Sequence, residues 1–205
     1  MIVAFVATAI AAVVNWYANW KGLTTLETVS KPLATIGAIV IAALAGGPTN
    51  ATIAGVVALS LCLIGDIALL DVVDRFIVGL AAFLLGHIAF IVMFGMLGFD
   101  RWRTAGLAIA GCALLLGTVA VPIMRGASTR GLGIPVRVYL AVIVSMAVLG
   151  WATGNWLIML GTAAFIVSDS ILGWNRFVVG KRWMEVAIMV TYHLAIVSLA
   201  LSLAV

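Results

Sequence analysis

The chain has 205 residues, of which 65% are hydrophobic and only 9% are charged, and its mean hydropathy is +1.30. Soluble domains carry about 25% charged residues, so this composition excludes a water-soluble globular protein. The formal net charge is +4, but the basic residues lie between apolar runs and form no basic stripe of the kind that nucleic-acid binding requires. We therefore expect membrane lipids around the chain and no nucleic-acid partner.

Apolar runs separated by short polar segments divide the whole sequence. A bilayer core about 30 Å thick needs about 20 apolar residues per helix. The pattern predicts an all-α, polytopic membrane helix bundle of about eight transmembrane helices, forming one integral-membrane domain over residues 1–205. The predicted spans cover about 2–19, 31–46, 52–70, 76–97, 104–121, 136–149, 156–174 and 184–205.

The predicted connections are short. The polar segment up to Ser30 is predicted to be a loop, Gly46-Gly47-Pro48 is a turn signal, and Pro122 to Pro135 is predicted to be the longest loop. The first apolar run has no basic n-region and no evident cleavage site, so it is predicted to be a retained span rather than a signal peptide.

Basic residues are distributed unequally between the two sets of loops. The loops after odd-numbered spans contain Lys21, Arg75, Arg125, Arg130, Arg176, Lys181 and Arg182, and the opposite set contains Arg101 and Arg103. Cytoplasmic loops of membrane proteins carry the excess of Lys and Arg. We therefore predict a multi-pass protein of the cell (inner) membrane, with both termini outside the cytoplasm.

Two carboxylates, Asp66 and Asp169, interrupt runs that otherwise predict membrane helices. An ionisable residue costs roughly 2.5–3.5 kcal/mol at the centre of such a helix, so it marks a functional site by default. With the predicted orientation, both carboxylates and Lys31 lie towards the cytoplasmic end, and His87 and His193 lie about mid-span. These residues predict a cavity open to the cytoplasmic leaflet. A structural ion pair, or a carboxylate bonded to backbone at a helix end, is the alternative.

A weak internal repeat relates the two halves. The segment Arg75–Gly79 (RFIVG) resembles Arg176–Gly180 (RFVVG), and each follows a span with an aspartate and precedes one with a histidine. Spans that are four helices apart have the same direction, so the resemblance predicts a parallel four-helix repeat. Five similar residues in apolar sequence are also compatible with chance.

Two histidines with one aspartate are the ligand set of a catalytic zinc site with one open position. The sequence has no HExxH and no local ligand spacing, so we predict no metal and no cofactor. Cys62 and Cys112 lack CxxC spacing and are expected to be packing residues. The absence of P-loop, GxGxxG and GxSxG motifs argues against nucleotide and serine-hydrolase chemistry.

Several short motifs occur together in a fixed order. They are Lys31-Pro32, Gly65-Asp66 with Leu69, Phe83-x-x-Gly86-His87-x-x-Phe90, Tyr139, Phe165-x-x-Ser168-Asp169-Ser170-x-Leu172 with Phe177, and Tyr192-His193-x-Ala195. With these motifs, over almost the whole chain, the sequence resembles the YhhN family of bacterial membrane proteins and their animal relatives, the lysoplasmalogenases. Ile196 departs from the pattern, because a glutamine is expected there.

The resemblance implies hydrolysis of the vinyl ether bond of a lysophospholipid substrate, a lysoplasmalogen, to a fatty aldehyde and glycerophosphoethanolamine or glycerophosphocholine. Asp66 and Asp169 are the expected acid and base, with neither role assigned to a particular residue, and two neighbouring carboxylates tend to differ in protonation. The remaining expected roles are catalytic support from His87 and His193, phosphate binding by Lys31, further substrate contacts from Tyr139, Ser168 and Tyr192, and contact with the apolar chain by Phe83, Phe90 and Phe165.

A second class of function is a small proton-coupled transporter or a lipid flippase. Transport favours polar groups through the full depth of the bundle, whereas here they crowd into one half. A structural membrane protein is the third alternative, and it leaves the paired acids unexplained. The sequence does not predict the oligomeric state.

Overall fold

The computed structural model describes residues 1–46 and 49–204, and all of its secondary-structure elements are helical in this part of the chain. The α-helices are α1 (Ile2–Lys21), α2 (Thr24–Ala45), α3 (Asn50–Ala68), α4 (Phe76–Leu97), α5 (Trp102–Leu115), α6 (Val121–Thr129), α7 (Gly133–Ala152), α8 (Trp156–Phe177) and α9 (Arg182–Leu201). A π-helix (Leu116–Ala120) joins α5 to α6, and a 3₁₀ turn (Ser202–Ala204) follows α9. The predicted turn at Gly47-Pro48 and the last residue of the eighth span lie outside the described residues.

The described residues form eight helices long and apolar enough to cross a membrane, which confirms the predicted all-α bundle. The fifth of these comprises α5, the π-helix and α6, over Trp102–Thr129, and we refer to it as the fifth span. The protein is therefore a multi-pass membrane protein.

Two segments predicted to be loops are helical instead. Residues 24–30 belong to α2, and residues 122–129 belong to α6. Both segments are rich in Ser and Thr, whose hydroxyls donate to carbonyls of their own helix, as Ser30 does to Leu26 (2.6 Å) and Ser128 does to Met124 (2.8 Å). These bonds give the hydroxyls partners within the helix, so the polar residues are accommodated there and do not mark the helix boundaries.

Pro122 explains the change of helix type in the fifth span. Proline has no backbone N–H and its ring crowds the carbonyl four residues earlier, which is that of Thr118. The π-helix lies directly before Pro122 and contains Thr118. Such a wide turn accommodates a break in the hydrogen-bond ladder without ending the span.

Helices that are adjacent in sequence form the closest pairs, namely α1 with α2, α3 with α4, and α8 with α9. Helices from the two halves of the chain also pack against each other, since α2 contacts α9 and α4 contacts α7. In the predicted parallel repeat, α2 corresponds to α7 and α4 to α9, so these two contacts are equivalent. Gene duplication itself stays a prediction.

Small residues allow α3 and α4 to approach closely. A Cβ atom on Gly86 would lie 3.2 Å from the carbonyl oxygen of Ala58 and 3.2 Å from the sulfur of Cys62. Close approach of this kind is the usual use of glycine between membrane helices. Cys62 and Cys112 are both buried free thiols, as the packing role predicts.

One end of the bundle, here called the basic end, carries the connections at residues 22–23, 69–75, 130–132 and 178–181. The seven basic residues assigned to one side by the sequence lie here, and Arg137, early in α7, joins them. Asp66 lies in the last turn of α3, and Asp169 lies about two turns before the end of α8, so both are near the basic end.

Candidate active site

A cavity of about 350 Å³ opens at the basic end. We call it the polar cavity. Its inner wall contains Lys31, Asp66, Asp169, Ser168, Tyr192 and Phe83. The structure therefore brings both predicted carboxylates to one cavity, although they come from α3 and α8.

Asp66 is held by three groups from two other helices. Its Oδ2 atom accepts hydrogen bonds from Thr35 Oγ1 (2.5 Å) and Tyr192 OH (2.7 Å). Its Oδ1 atom lies 3.9 Å from Lys31 Nζ. Only 1% of Asp66 and 4% of Lys31 is exposed. A cation and two hydroxyl donors stabilise an ionised carboxylate at this position.

Asp169 has a simpler environment. Its Oδ2 atom accepts one hydrogen bond, from Tyr139 OH at 2.5 Å. No basic side chain of the described residues forms an ion pair with it. Asp169 is only partly buried, so the two carboxylates differ in charge environment and in access.

The two histidines lie behind the tyrosines that bind these carboxylates. The His87 ring contacts the Tyr139 ring edge-on, with centroids 5.4 Å apart, and the His193 ring lies 5.6 Å from the Tyr192 ring. His193 Nδ1 accepts a hydrogen bond from Trp16 Nε1 at 2.9 Å. Neither histidine is among the residues that line the polar cavity.

The other predicted binding residues separate into two groups. Ser168 lines the polar cavity, and its hydroxyl donates to the carbonyl of Ile188 on α9 (3.1 Å) rather than to Asp169. Phe83 also lines the cavity, and its ring meets that of Tyr192 edge-on. Phe90 and Phe165 are fully buried and pack together in the core, with centroids 6.0 Å apart, and neither lines the polar cavity.

An apolar groove adjoins the polar cavity. It lies between α4 and the fifth span, and its floor is formed by α7 and α8; Leu80, Val119, Ile123, Leu140, Val144 and Ile166 are among its lining residues. Leu69, Phe76, Phe83, Leu172 and Asp169 line both spaces. Asp169 therefore stands where a polar space meets an apolar one.

The mouth of the polar cavity carries both signs of charge. Arg130 and Arg176 lie on one side, where Arg130 Nη1 donates to the Arg176 carbonyl (2.6 Å) and Arg176 Nη2 lies 3.7 Å from Asp74. Glu27, Asp71 and Glu185 also line the cavity and lie close enough to one another to interact electrostatically.

Three residues of the site, Thr35, Arg130 and Arg176, are not among the site residues that the sequence predicts. Thr35 lies one helical turn after Lys31 on α2, so its spacing alone places it on the same helix face. The sequence indicates Arg130 and Arg176 only as orientation signals. Nothing local in the sequence indicates that they meet at one cavity mouth.

Residues 1–46 and 49–204 contain no group of three His, Cys, Asp or Glu side chains arranged to hold a metal ion. The histidines and aspartates instead contact tyrosines, as described above. Buried hydroxyls nearer the opposite end, such as those of Thr162 and Ser202, donate to carbonyls of their own helix.

In a comparison with protein families, the model of the YhhN family matches residues 26–203. This match covers most of the chain, so the protein belongs to the YhhN family. Comparison with curated proteins and with solved structures finds no match.

Proposed function

We propose that this YhhN-family protein hydrolyses the vinyl ether bond of a lysoplasmalogen, releasing a fatty aldehyde and glycerophosphoethanolamine or glycerophosphocholine. The observation that carries the proposal is the pair Asp66 and Asp169, which line one cavity but have different partners. Acid and base catalysis at one centre needs two groups with this kind of difference.

The proposed reaction begins with proton transfer from a carboxylic acid to the vinyl carbon that is not bonded to the ether oxygen. We call this the outer carbon, and the carbon bonded to oxygen the inner carbon. This transfer leaves a positive charge shared by the inner carbon and the ether oxygen, as in the oxocarbenium-like transition state of glycoside hydrolysis. Water adds to the inner carbon and gives a proton to the carboxylate that protonated the vinyl ether, which restores the carboxylic acid. In the resulting hemiacetal, this acid protonates the glycerol oxygen as the carbon–oxygen bond breaks, and the hydroxyl returns its proton to the carboxylate, giving the aldehyde and the alcohol.

Asp169 is the proposed proton donor. It has no cationic partner among the described residues, and it stands between the polar cavity and the apolar groove, where a bond joining a polar head to an apolar chain would lie. Asp66 is the proposed fixed anion, because Lys31, Thr35 and Tyr192 all favour its charged form. As an anion it would stabilise the positive charge and orient the attacking water.

Tyr139 and Tyr192 would hold the two carboxylates in place. His87 and His193 would act as positioning residues through these tyrosines, since each histidine ring contacts one of them and neither lines the cavity. This role replaces direct contact of the histidines with substrate.

The head group would bind at the cavity mouth. Lys31 was expected to hold the phosphate, but it is almost fully buried and paired with Asp66. Arg130 and Arg176 are exposed at the mouth and have the guanidinium groups that suit a phosphate, so we assign the phosphate to them. The nearby carboxylates would match the ammonium of a zwitterionic head group.

We also propose that the protein lies in the cell membrane with both termini outside the cytoplasm, so that the basic end faces the cytoplasmic leaflet. The supporting observation is the concentration of Lys and Arg at the basic end. Labelling of an N-terminal tag in intact cells with a membrane-impermeant reagent tests this orientation.

The deciding experiment is aldehyde release by the purified full chain in detergent, measured with a panel of vinyl ether lysolipids and with the matching saturated ether lysolipids as controls. Aldehyde is expected from the vinyl ethers alone, and a parallel series with chelator tests metal dependence. Detergent removes any vectorial step, so product formation there also distinguishes hydrolysis from transport. Absence of product from every vinyl ether would refute the hydrolase.

A further inference from the structure

The apolar groove has the form of a lateral opening in the bundle. Within the described part of the chain, α4 and the fifth span both face the groove, yet they do not pack closely against each other, and α7 packs against both. Leu80, Leu140 and Val144 line it and are only partly buried. The groove is therefore open along the side of the bundle that the bilayer surrounds.

Its chemistry changes along its length. The polar lining residues are Tyr139, Asp169 and Ser170, all on the α7–α8 floor, and the other described lining residues are apolar. The lining runs along α7 from Val136 to Val144, which is about 12 Å at 1.5 Å per residue. The groove is thus a long apolar surface that contains one carboxylate, at its junction with the polar cavity.

From this geometry we propose that the apolar groove is the binding site for the single hydrocarbon chain of a lysophospholipid, which enters sideways from the bilayer between α4 and the fifth span. The inference rests on the proposed function. It adds a chain site distinct from Phe90 and Phe165, which are fully buried and line neither the groove nor the polar cavity.

Continuity with the polar cavity identifies the occupant. Five residues line both spaces, so a molecule in the groove with its polar end at Asp169 has its head group in the polar cavity. One chain suits a passage between two helices, whereas a diacyl lipid brings a second chain into the polar cavity. Each methylene removed from water contributes about 0.8 kcal/mol, but a lipid chain in the bilayer has already gained this free energy. Selectivity for a lysophospholipid must therefore come from the shape of the groove and from contacts with the head group.

The test uses binding of a saturated ether lysophosphocholine, which has no vinyl ether and is not a substrate. A version with a diazirine near the chain terminus is cross-linked to the unmodified full chain in nanodiscs, and the labelled residues are mapped. Labelling is expected on α7 and α8 around Val144 and Ile166, and it should be competed by unlabelled ether lysolipid but not by diacyl phosphatidylcholine. A diacyl probe gives the comparison for bulk lipid.

Val144→Trp and Val138→Trp form a matched pair on α7. Val144 lines the groove, whereas Val138 does not line it and is 51% exposed on the outer surface. Val144→Trp should weaken binding of the ether lysolipid about tenfold or more, and Val138→Trp should leave it within about twofold. If Val144→Trp does not fold, Val144→Phe and the cross-linking map of the unmodified chain decide the question.

Labelling spread over all outer helix faces, equal for both probes and unchanged by Val144→Trp, would overturn the chain site. Labelling confined to the groove without aldehyde release would uphold the chain site and remove the hydrolase. Aldehyde release with no labelling of the groove would uphold the hydrolase and overturn the chain site.

Discussion

The hydroxyl of Tyr139 on α7 donates a hydrogen bond of 2.5 Å to Oδ2 of Asp169 on α8. On the other side of the polar cavity, Thr35 on α2 makes the equivalent bond to Asp66 on α3. The hydroxyl in each case comes from the span that precedes the carboxylate. The two aspartates differ in their other partners, because Asp66 also accepts a hydrogen bond from Tyr192 and forms an ion pair with Lys31.

The first prediction concerns the two carboxylates. Asp66→Asn and Asp169→Asn should each lower kcat for aldehyde release by about 100-fold or more, since an amide supplies neither an acidic proton nor a negative charge. The control is Asp100→Asn, an exposed aspartate before α5 and away from the basic end. Near-normal turnover in both site variants would exclude carboxylate catalysis.

The second prediction concerns Tyr139. Tyr139→Phe removes the hydroxyl that stabilises the negative charge forming on Asp169 as it gives up its proton, and should lower kcat about tenfold to 100-fold, in line with the 1.5–3 kcal/mol of a hydrogen bond to a charged group. Tyr17→Phe is the matched control, because Tyr17 is 54% exposed on α1. Steady-state kinetics in detergent measures both variants. Equal activity of the two variants would show that the Tyr139 hydroxyl does not assist the reaction.

The third prediction concerns the buried ion pair. Lys31→Met leaves the Asp66 charge without its cation and should lower the free energy of unfolding by about 3–5 kcal/mol, whereas the double variant with Asp66→Asn should regain most of that loss. The exposed Arg176–Asp74 pair is the comparison, and Asp74→Asn should cost about 0–1 kcal/mol. Thermal unfolding in one detergent measures all four proteins. A double variant no more stable than Lys31→Met would contradict the pairing.

The fourth prediction concerns Gly126 on α6. A Cβ atom there would lie 2.2 Å from the carbonyl oxygen of Phe177, a backbone atom that cannot rotate away. Gly126→Ala should therefore separate α6 from α8 and destabilise the protein by about 1–3 kcal/mol. Gly111→Ala in the same span meets no atom within 4 Å and should be neutral or slightly stabilising in unfolding measurements. Equal stability of the two variants would mean that α6 and α8 are not in contact.

The fifth prediction concerns His87, whose two ring nitrogens are buried and have no hydrogen-bond partner among the described residues. If His87 acts through Tyr139, His87→Leu should lower kcat no more than Tyr139→Phe does, and the double variant should be no slower than Tyr139→Phe alone. A loss as large as that of Asp169→Asn would instead place His87 in direct contact with the reacting groups.

The candidate site could be predicted in part because its key residues are costly in a membrane. Asp66 and Asp169 stand out against apolar sequence, and their positions near span ends predicted a shared depth. The phenylalanine predictions had no such support, because an aromatic residue in an apolar span is equally suited to a core. Phe83 lines the polar cavity, whereas Phe90 and Phe165 pack inside the bundle.

The sequence by itself predicted the eight membrane spans that the described residues show, because a transmembrane helix needs about 20 apolar residues and an ionisable residue within it is costly. It also determined which carboxylates are functional candidates. The partners of these carboxylates were decided only by the tertiary structure. Tyr139 and Thr35 are 30 and 31 residues from the aspartates they bind, and Tyr192 is 126 residues from Asp66. Such contacts depend on how each helix is rotated about its axis when the bundle packs, and no local pattern records that rotation.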